Sequence, residues 1–464
     1  MIFKIVGVKN GEQKTFRYDN FENTLSDDIG NVFESQNSNF SSQDQPNYTP
    51  FSPEDPLKKS NNITTLKIQL GLTCNYSCEY CSQRFVPRAD ETSRKHVEEF
   101  MRKLDENIIF SEKNGLRIEF WGGEPFVYWK TIQPLMEALK KKFQNWNRKP
   151  VYSIISNGSL LTDEICDWIV DNLTAFCISH DGPGQFVRGE DPFQNEELKQ
   201  RIINLYHRMK KERKHMSFNA MINGDNISRK GVSEWFYSTI GENVSIGEGG
   251  FVDAYDEGGI SVSLKTKESF FKFRKTAFKE IFENGDMGFS IVKTKINQCV
   301  QGILNHSPAR TISQKCGMDD ENTIAVDLKG NVITCQNVSH VAINSNNQPH
   351  VGGNIEEMSK VRITSSTHWS NRPDCANCPV LHVCRGSCMY ASNEYWTQSC
   401  TNSYSDNIVF FALAFERITG YIPIFIDNDV LPDDRKDIWG CVLKHEEEQP
   451  KPSKGKFPIP VVSA

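Results

Sequence analysis

The sequence predicts an α/β fold, a run of parallel strand–helix units followed by a smaller cysteine-rich module. Two observations carry this. From Thr64 onward, short runs of alternating apolar residues succeed longer stretches of helical periodicity. From about Cys299 the texture changes to loops punctuated by cysteine, glycine and asparagine, too poor in apolar residues to build a core without bound metal as scaffold.

Taken in order, Ile2–Val8 and Gln13–Tyr18 flank Asn10-Gly11, a dipeptide suited to a tight hairpin, so residues 1–34 read as a small β-ribbon. Residues 35–62 are rich in Ser, Asn, Gln, Asp and Pro, a composition that buries little apolar surface, and are expected to be a linker. Strands are expected at 66–70, 116–120, 151–155, 175–179 and 217–222, with helices near 93–113, 131–145, 162–172 and 196–211. Strands separated by helices need crossover connections and pair in parallel, giving a barrel or an open wound sheet over residues 63–298. Functional groups should then lie at the carboxyl ends of the strands. The cysteine-rich module spans 299–420 and ends in an apolar helix at 407–418. Residues 421–464 are a terminal segment whose Pro- and Lys-rich end, from 446, is expected to be a mobile tail.

The formal net charge of −6 gives no support to nucleic-acid wrapping or to adhesion on an anionic membrane. No apolar run reaches the roughly 18 residues of a membrane span, and the opening segment is too interrupted for a signal peptide, so a cytoplasmic protein is expected. In a reducing compartment its 14 cysteines are expected to serve metal or catalysis rather than disulfides.

Cys74, Cys78 and Cys81 occupy one short loop directly after the first strand of the repeat. Three thiolates can hold a polynuclear iron–sulfur cluster with one iron open, whereas zinc would want a fourth nearby Cys or His, which this loop lacks. The C-x3-C-x2-C spacing, with aromatic Tyr80 before the last cysteine, resembles the signature of the radical S-adenosylmethionine (SAM) superfamily. The resemblance implies a partial (β/α)6 TIM-like barrel and a 4Fe-4S cluster whose open iron is chelated by SAM. It further implies reductive cleavage to a 5′-deoxyadenosyl radical that abstracts a substrate hydrogen.

Trp121-Gly122-Gly123-Glu124-Pro125 ends the next strand, where the glycines admit close backbone approach and Glu124 can accept from an ammonium group. It resembles the family's GGEP motif, which contacts the SAM amine. Ser156 and Asn157 after the third strand, and Ser179 and Asp181 after the fourth, resemble the stations for the SAM ribose and carboxylate. Arg188 is a candidate partner of the methionyl carboxylate and Met221 of the adenine; a surface arginine and a core methionine are the plain alternatives.

Cys316, Gly330, Cys335, Cys375, Cys378, Cys384, Cys388 and Cys400 together resemble the SPASM extension, a module with two auxiliary 4Fe-4S clusters found in peptide-modifying radical SAM enzymes. That pattern implies Cys375, Cys378, Cys384 and Cys400 around one cluster and Cys316, Cys335 and Cys388 around the other. Cys299 is the candidate for its fourth ligand, unless the site is open to substrate. Cys166 and Cys177 read as small core residues. With three clusters and SAM, the resemblance implies a maturase that forms or breaks a bond in a ribosomally made precursor peptide. Expected partners are the peptide and an electron donor such as flavodoxin or ferredoxin; the N-terminal hairpin reads either as a strand that pairs with the leader or as a plain barrel cap, and a separate leader-binding protein is the third option. Sulfatase maturation is the alternative, but the acidic base of that branch is replaced by Gln336, whose amide cannot take up a proton at neutral pH. A non-catalytic iron–sulfur electron carrier is the reading from another class.

Overall fold

A computed structural model describes residues 1–35, 47–88 and 92–441. Strands β1 (Ile2–Lys9) and β2 (Glu12–Asp19) form the expected hairpin, with Asn10 and Gly11 both at positive φ (50° and 84°), and β3 (Thr24–Asp27) adds to it. The βα repeat follows as β4 (Thr65–Gln69), α1 (Val97–Asn107), β5 (Arg117–Trp121), α2 (Trp129–Lys142), β6 (Val151–Ser156), α3 (Asp163–Asn172), β7 (Ala175–Ser179), α4 (Glu196–Lys211) and β8 (His215–Asn219). Helix starts obey local chemistry. Thr162 accepts from Ile165 N–H at 3.2 Å and Asn195 from Leu198 N–H at 3.0 Å, and α4 begins with Glu196-Glu197 and ends with Lys210-Lys211, each charge complementing the helix dipole.

Strands β4 to β8 pair in parallel in the order β8-β7-β6-β5-β4, as the partial barrel requires. Isolated parallel bridges Phe218↔Ile246 and Ile246↔Phe289 carry the curve past β8. Helices α5 (Arg229–Ile240), α6 (Lys267–Asn284) and α7 (Ser290–Leu304) complete the outer layer. Because α7 runs through residue 299, the change of texture read at Cys299 falls inside a barrel helix.

The C-terminal module is built onto the barrel sheet. Strand β9 (Thr323–Asp327) pairs parallel with β4, from Thr323↔Thr65 to Asp327↔Gln69, and β10 (Asn331–Ile333) and β11 (Val351–Asn354) extend the sheet antiparallel. The long helix α8 (Asn393–Thr419) begins earlier than the apolar pattern indicated and is ended by Gly420 at φ 73°. It packs on α6 and α7, and its Phe411 and Phe415 meet Tyr18 and Phe16 of the N-terminal sheet at ring distances of 5.2 and 5.0 Å. Strand β12 (Ile422–Asp427) then pairs with β1, so the ribbon and the terminal segment form one sheet over α8. Arg229 and Asp406, both buried, join α5 to α8 at 2.5 Å; removing either partner would cost about 3–5 kcal/mol.

The polar composition of 35–62 misled in part. Within it, Phe51 is buried and Lys59, equally buried, donates to the carbonyls of Met318 and Asp320 at 2.5 and 2.9 Å. A few isolated anchors suffice to dock a segment that has no core of its own. The tail expected from residue 446 lies outside the described residues. Among the described residues no helix is long and apolar enough to cross a membrane.

Burial lowers the Lys59 ammonium to about 8, with Asp319 and Asp320 opposing the shift. Between that value and the unfolded one the unfolded chain holds the extra proton, so stability rises with pH there. The stability difference between wild type and Lys59→Met should therefore shift in favour of wild type from about pH 8 to about pH 10, by at most about 1.4 kcal/mol per unit. Denaturant midpoints across that range measure it; a flat difference would contradict a charged, desolvated lysine.

Candidate active site and cysteine groups

The loop after β4 is clamped by its neighbour. Gly123 N–H donates to the carbonyl of Gly71 at 3.1 Å and Glu124 N–H to that of Thr73 at 3.0 Å, while Tyr128 Oη accepts from Thr73 N–H at 2.7 Å. A Cβ on Gly123 would stand 2.4 Å from the Thr73 carbonyl oxygen. The two glycines thus admit the entry to the cysteine loop; sequence reasoning assigned that close approach to a ligand. Pro125 starts the short turn leading into α2.

Glu124 is buried, and its carboxylate gathers the next station. Oε1 accepts from Ser156 Oγ at 2.8 Å and Phe126 N–H at 3.1 Å, and Oε2 from Asn157 N–H at 2.7 Å. Asn157 Nδ2 donates to Asn75 Oδ1 at 2.9 Å, inside the cysteine loop, and Asn75 Nδ2 to Ser159 Oγ at 2.8 Å. Burial raises the Glu124 carboxyl to about 7 against these three donors.

Asp181, fully buried, forms the second knot. Its Oδ2 accepts from Tyr80 Oη at 2.5 Å, its Oδ1 from Met221 N–H at 2.8 Å, and Arg188 Nε lies 3.1 Å from Oδ1. The Arg188 guanidinium stands 5.4 Å from the Tyr80 ring centroid and opposes the rise that burial imposes on the Cys78 and Cys81 thiols, Cys78 reaching about 11. Met221 is half-buried against the core, and Ser179 ends β7 opposite Asn219. Cys74, Cys78 and Cys81 each lie within reach of another's charge, in a setting that keeps free thiols protonated. Metal binding there must release protons.

The C-terminal cysteines fall into two groups in space. Cys375, Cys378, Cys384 and Cys400 line one cavity, with Trp396 and Tyr404 completing its wall. The N-terminal sheet braces it: Asn20 Nδ2 donates to the carbonyls of Ala376 and Cys378 at 3.1 and 3.0 Å, and the Asn20 carbonyl bonds His382 Nε2 at 2.7 Å. Cys316, Cys335 and Cys388 influence one another separately, beside Tyr255 and Tyr390. Cys299 is not brought to this trio. It is buried on the core face of α7 with Val292, Ile296 and Ile303, and the perturbation of its thiol is burial alone. Among the described residues no three His, Cys, Asp or Glu side chains converge on a single metal ion. The four-thiol cavity and the open three-thiol loop suit polynuclear clusters instead.

A second cavity lies between residues 82–87, which follow Cys81, and the C-terminal module, and is lined by Phe85, Tyr255, His350, Tyr390 and Tyr395 among others. The tyrosines, Arg372, Lys315 and Arg435 were not singled out from sequence, since none lies in a motif.

Residues 68–235 match the family model described as the radical SAM superfamily. That segment of the chain is a radical SAM domain. The chain is 22% identical over 357 residues, 72% of this chain and 70% of the relative, to the radical SAM cyclopropyl synthase TigE of Paramaledivibacter caminithermalis. A serine-type anaerobic sulfatase-maturating enzyme of Bacteroides thetaiotaomicron is 31% identical over 120 residues, 25% of this chain and 29% of that one. The solved structure of anSMEcpe with bound AdoMet and Cp18Cys peptide shares the fold at a TM-score of 0.53 and 19% identity, covering 77% of this chain and 98% of that one. A radical SAM domain implies a 4Fe-4S cluster and SAM.

Glu124→Gln sets an amide NH2 against N–H or O–H donors and should cost about 1–3 kcal/mol. The raised carboxyl stabilises the fold most below its unfolded value, and that contribution is lost as pH climbs through about 7. The advantage of wild type over the variant in denaturant midpoint should therefore narrow from about pH 5 to about pH 8; a widening advantage would show that the three donors outweigh burial.

Proposed function

We propose that this radical SAM enzyme matures a ribosomally made precursor peptide, abstracting a hydrogen from one residue and forming or breaking a bond there. Cys74, Cys78 and Cys81 would hold the SAM-binding cluster, Cys375, Cys378, Cys384 and Cys400 a closed auxiliary cluster, and Cys316, Cys335 and Cys388 an open one. Held there, a reduced 4Fe-4S cluster would supply the electron that splits SAM into methionine and a 5′-deoxyadenosyl radical. The chain's own residues position the reactants. The Glu124–Ser156–Asn157 knot fixes the loop facing the SAM amine, and the Asp181–Arg188–Tyr80 knot sets a guanidinium beside Cys78 for the methionyl carboxylate.

The observation that carries the peptide reading is the aromatic cavity between the loop after Cys81 and the three-thiol group. Its wall runs from Ser82 and Phe85, just after Cys81, to Tyr255 and Tyr390, which act on the three-thiol group, with room for a side chain between. That anSMEcpe is solved with a bound peptide accords with a peptidic substrate.

A sulfatase-type protein oxidation is the weaker alternative. Gln336 stands where that chemistry would need a carboxylate, and its buried Oε1 has no hydrogen-bond partner. An electron carrier would have no use for the two SAM-facing knots. Flavodoxin or ferredoxin would serve as electron donor. Leader recognition by strand addition to β3 meets an obstacle, because Phe33 N–H already donates to the Leu25 carbonyl at 2.9 Å. A separate leader-binding protein fits better.

Reconstituted, reduced wild type should convert SAM to 5′-deoxyadenosine, and Cys78→Ala should lose this by at least about two orders of magnitude. With short peptides encoded beside the gene, mass spectrometry should show a SAM-dependent mass change in one of them. Conversion of a sulfatase serine or cysteine instead would overturn the maturase reading.

A further inference from the structure

Four cations act on the thiols of the four-thiol cavity. Arg435, in the short helix after β12, donates from Nη2 to Cys400 Sγ at 3.3 Å and stands 4.8 Å from the Tyr404 ring centroid. Arg372 lies 3.7 Å from the Trp396 ring centroid and donates from Nη2 to the carbonyls of Met389 and Ala391, and its buried Nε has no acceptor. Its charge reaches Cys375 and Cys400, and Cys388 of the other group. Lys295 and Lys315 act on Cys384. Lys295 Nζ donates to Asn407 Oδ1 at 2.6 Å and lies 4.0 Å from Asp406, a carboxylate already paired with Arg229. Lys315 is 3.1 Å from Asp253. Against these four cations stand Asp253, Asp406 and Asp374, the last on the cavity wall.

The three-thiol group has a different setting. Its neighbours are the neutral phenols of Tyr255 and Tyr390, and the Asp253 carboxylate acts on Cys388. Lys67 reaches Cys316 and Cys335, and Lys315 reaches Cys316. The Asp253–Lys315 pair therefore lies between the two groups, with Ser387 Oγ donating to Asp253 Oδ1 at 2.8 Å.

A thiolate-ligated cluster becomes one charge more negative when it takes up an electron. Cations and N–H donors beside its sulfurs stabilise that reduced form and raise the potential. We propose that the cationic cage of Arg435, Arg372, Lys295 and Lys315 makes the four-thiol site the stronger electron acceptor of the two C-terminal sites. This rests on the assignment of clusters to both groups under the proposed function. Arg435 and Lys315 are positioning residues in this scheme; they touch neither SAM nor substrate.

Redox titration followed by electron paramagnetic resonance on the anaerobically reconstituted full-length protein tests it. The signal lost in the double variant Cys375→Ala/Cys378→Ala identifies the four-thiol cluster, and in wild type it should have the higher midpoint of the two auxiliary signals. Arg435→Gln and, from a separate element, Lys315→Met should each lower that midpoint and leave the SAM-cluster midpoint in place, with Arg435→Lys shifting it less. A wild-type midpoint at or below that of the three-thiol cluster, or no shift in either Arg435→Gln or Lys315→Met, would overturn the inference. Unchanged iron content in the double cysteine variant would also overturn it, by removing the cluster from this cavity. In that event continued 5′-deoxyadenosine formation would show the radical SAM reading intact.

Discussion

The parallel pairing of β9 with β4 is the contact on which the rest of the arrangement depends. Five consecutive residues match in register, and the strand that leads into the SAM-cluster loop thereby becomes the neighbour of the strand that leads towards Gly330 and Cys335. Gln69, at the end of β4, reinforces the joint by donating from Nε2 to the carbonyls of Gln336 and Val338, both at 2.7 Å. Because ladder registers shift only in whole residues, this fixes the C-terminal module relative to the barrel mouth. The module cannot drift without breaking a sheet whose side chains, Ile68 and Val326 among them, are fully buried.

Around that joint the chain solves a problem of charge in a low-dielectric setting. Thiolates and carboxylates are costly to bury unless paired. Glu124 is met by three donors and Asp181 by a phenol, an amide and a guanidinium, so each acidic group becomes a fastening between neighbouring loops. The thiols are not satisfied in this way by the protein. Burial pushes Cys378, Cys384 and Cys388 to about 12, 11 and 12, values at which only metal would draw them into thiolate form at neutral pH. The protein's other contribution is to set four cations beside one group, and two phenols together with Lys67 and the Asp253–Lys315 pair beside the other.

Much of this was legible in the residues. Asn10-Gly11 announced the hairpin, alternation marked the five barrel strands, and the cysteine spacings separated into the groups that the fold assembles. Cys299 was misread because it was counted with the ligands, although Val292, Ile296, Cys299 and Ile303 already trace one apolar face of a helix. The anchoring of Phe51 and Lys59 was hidden because single docked side chains leave no periodicity. The cationic cage was hidden for another reason: Lys295, Lys315, Arg372 and Arg435 come from four separate segments, and only the packing of α7 and α8 with the terminal segment brings them together. The two glycines before Glu124 were recognised as a place of close approach, but a local pattern cannot say whether backbone or ligand approaches.

The fold presents three separate thiol groups, the first two meeting across the β4–β9 pairing and the third braced by the N-terminal sheet, each fit for its own cluster. An anomalous-difference map at the iron edge, from crystals of the anaerobically reconstituted protein, tests this most directly. Three iron peaks are expected, bounded by Cys74, Cys78 and Cys81; by Cys316, Cys335 and Cys388; and by Cys375, Cys378, Cys384 and Cys400, with Cys299 a ligand to none of them. Iron confined to the first group, or a second-group cluster closed by Cys299, would contradict this arrangement.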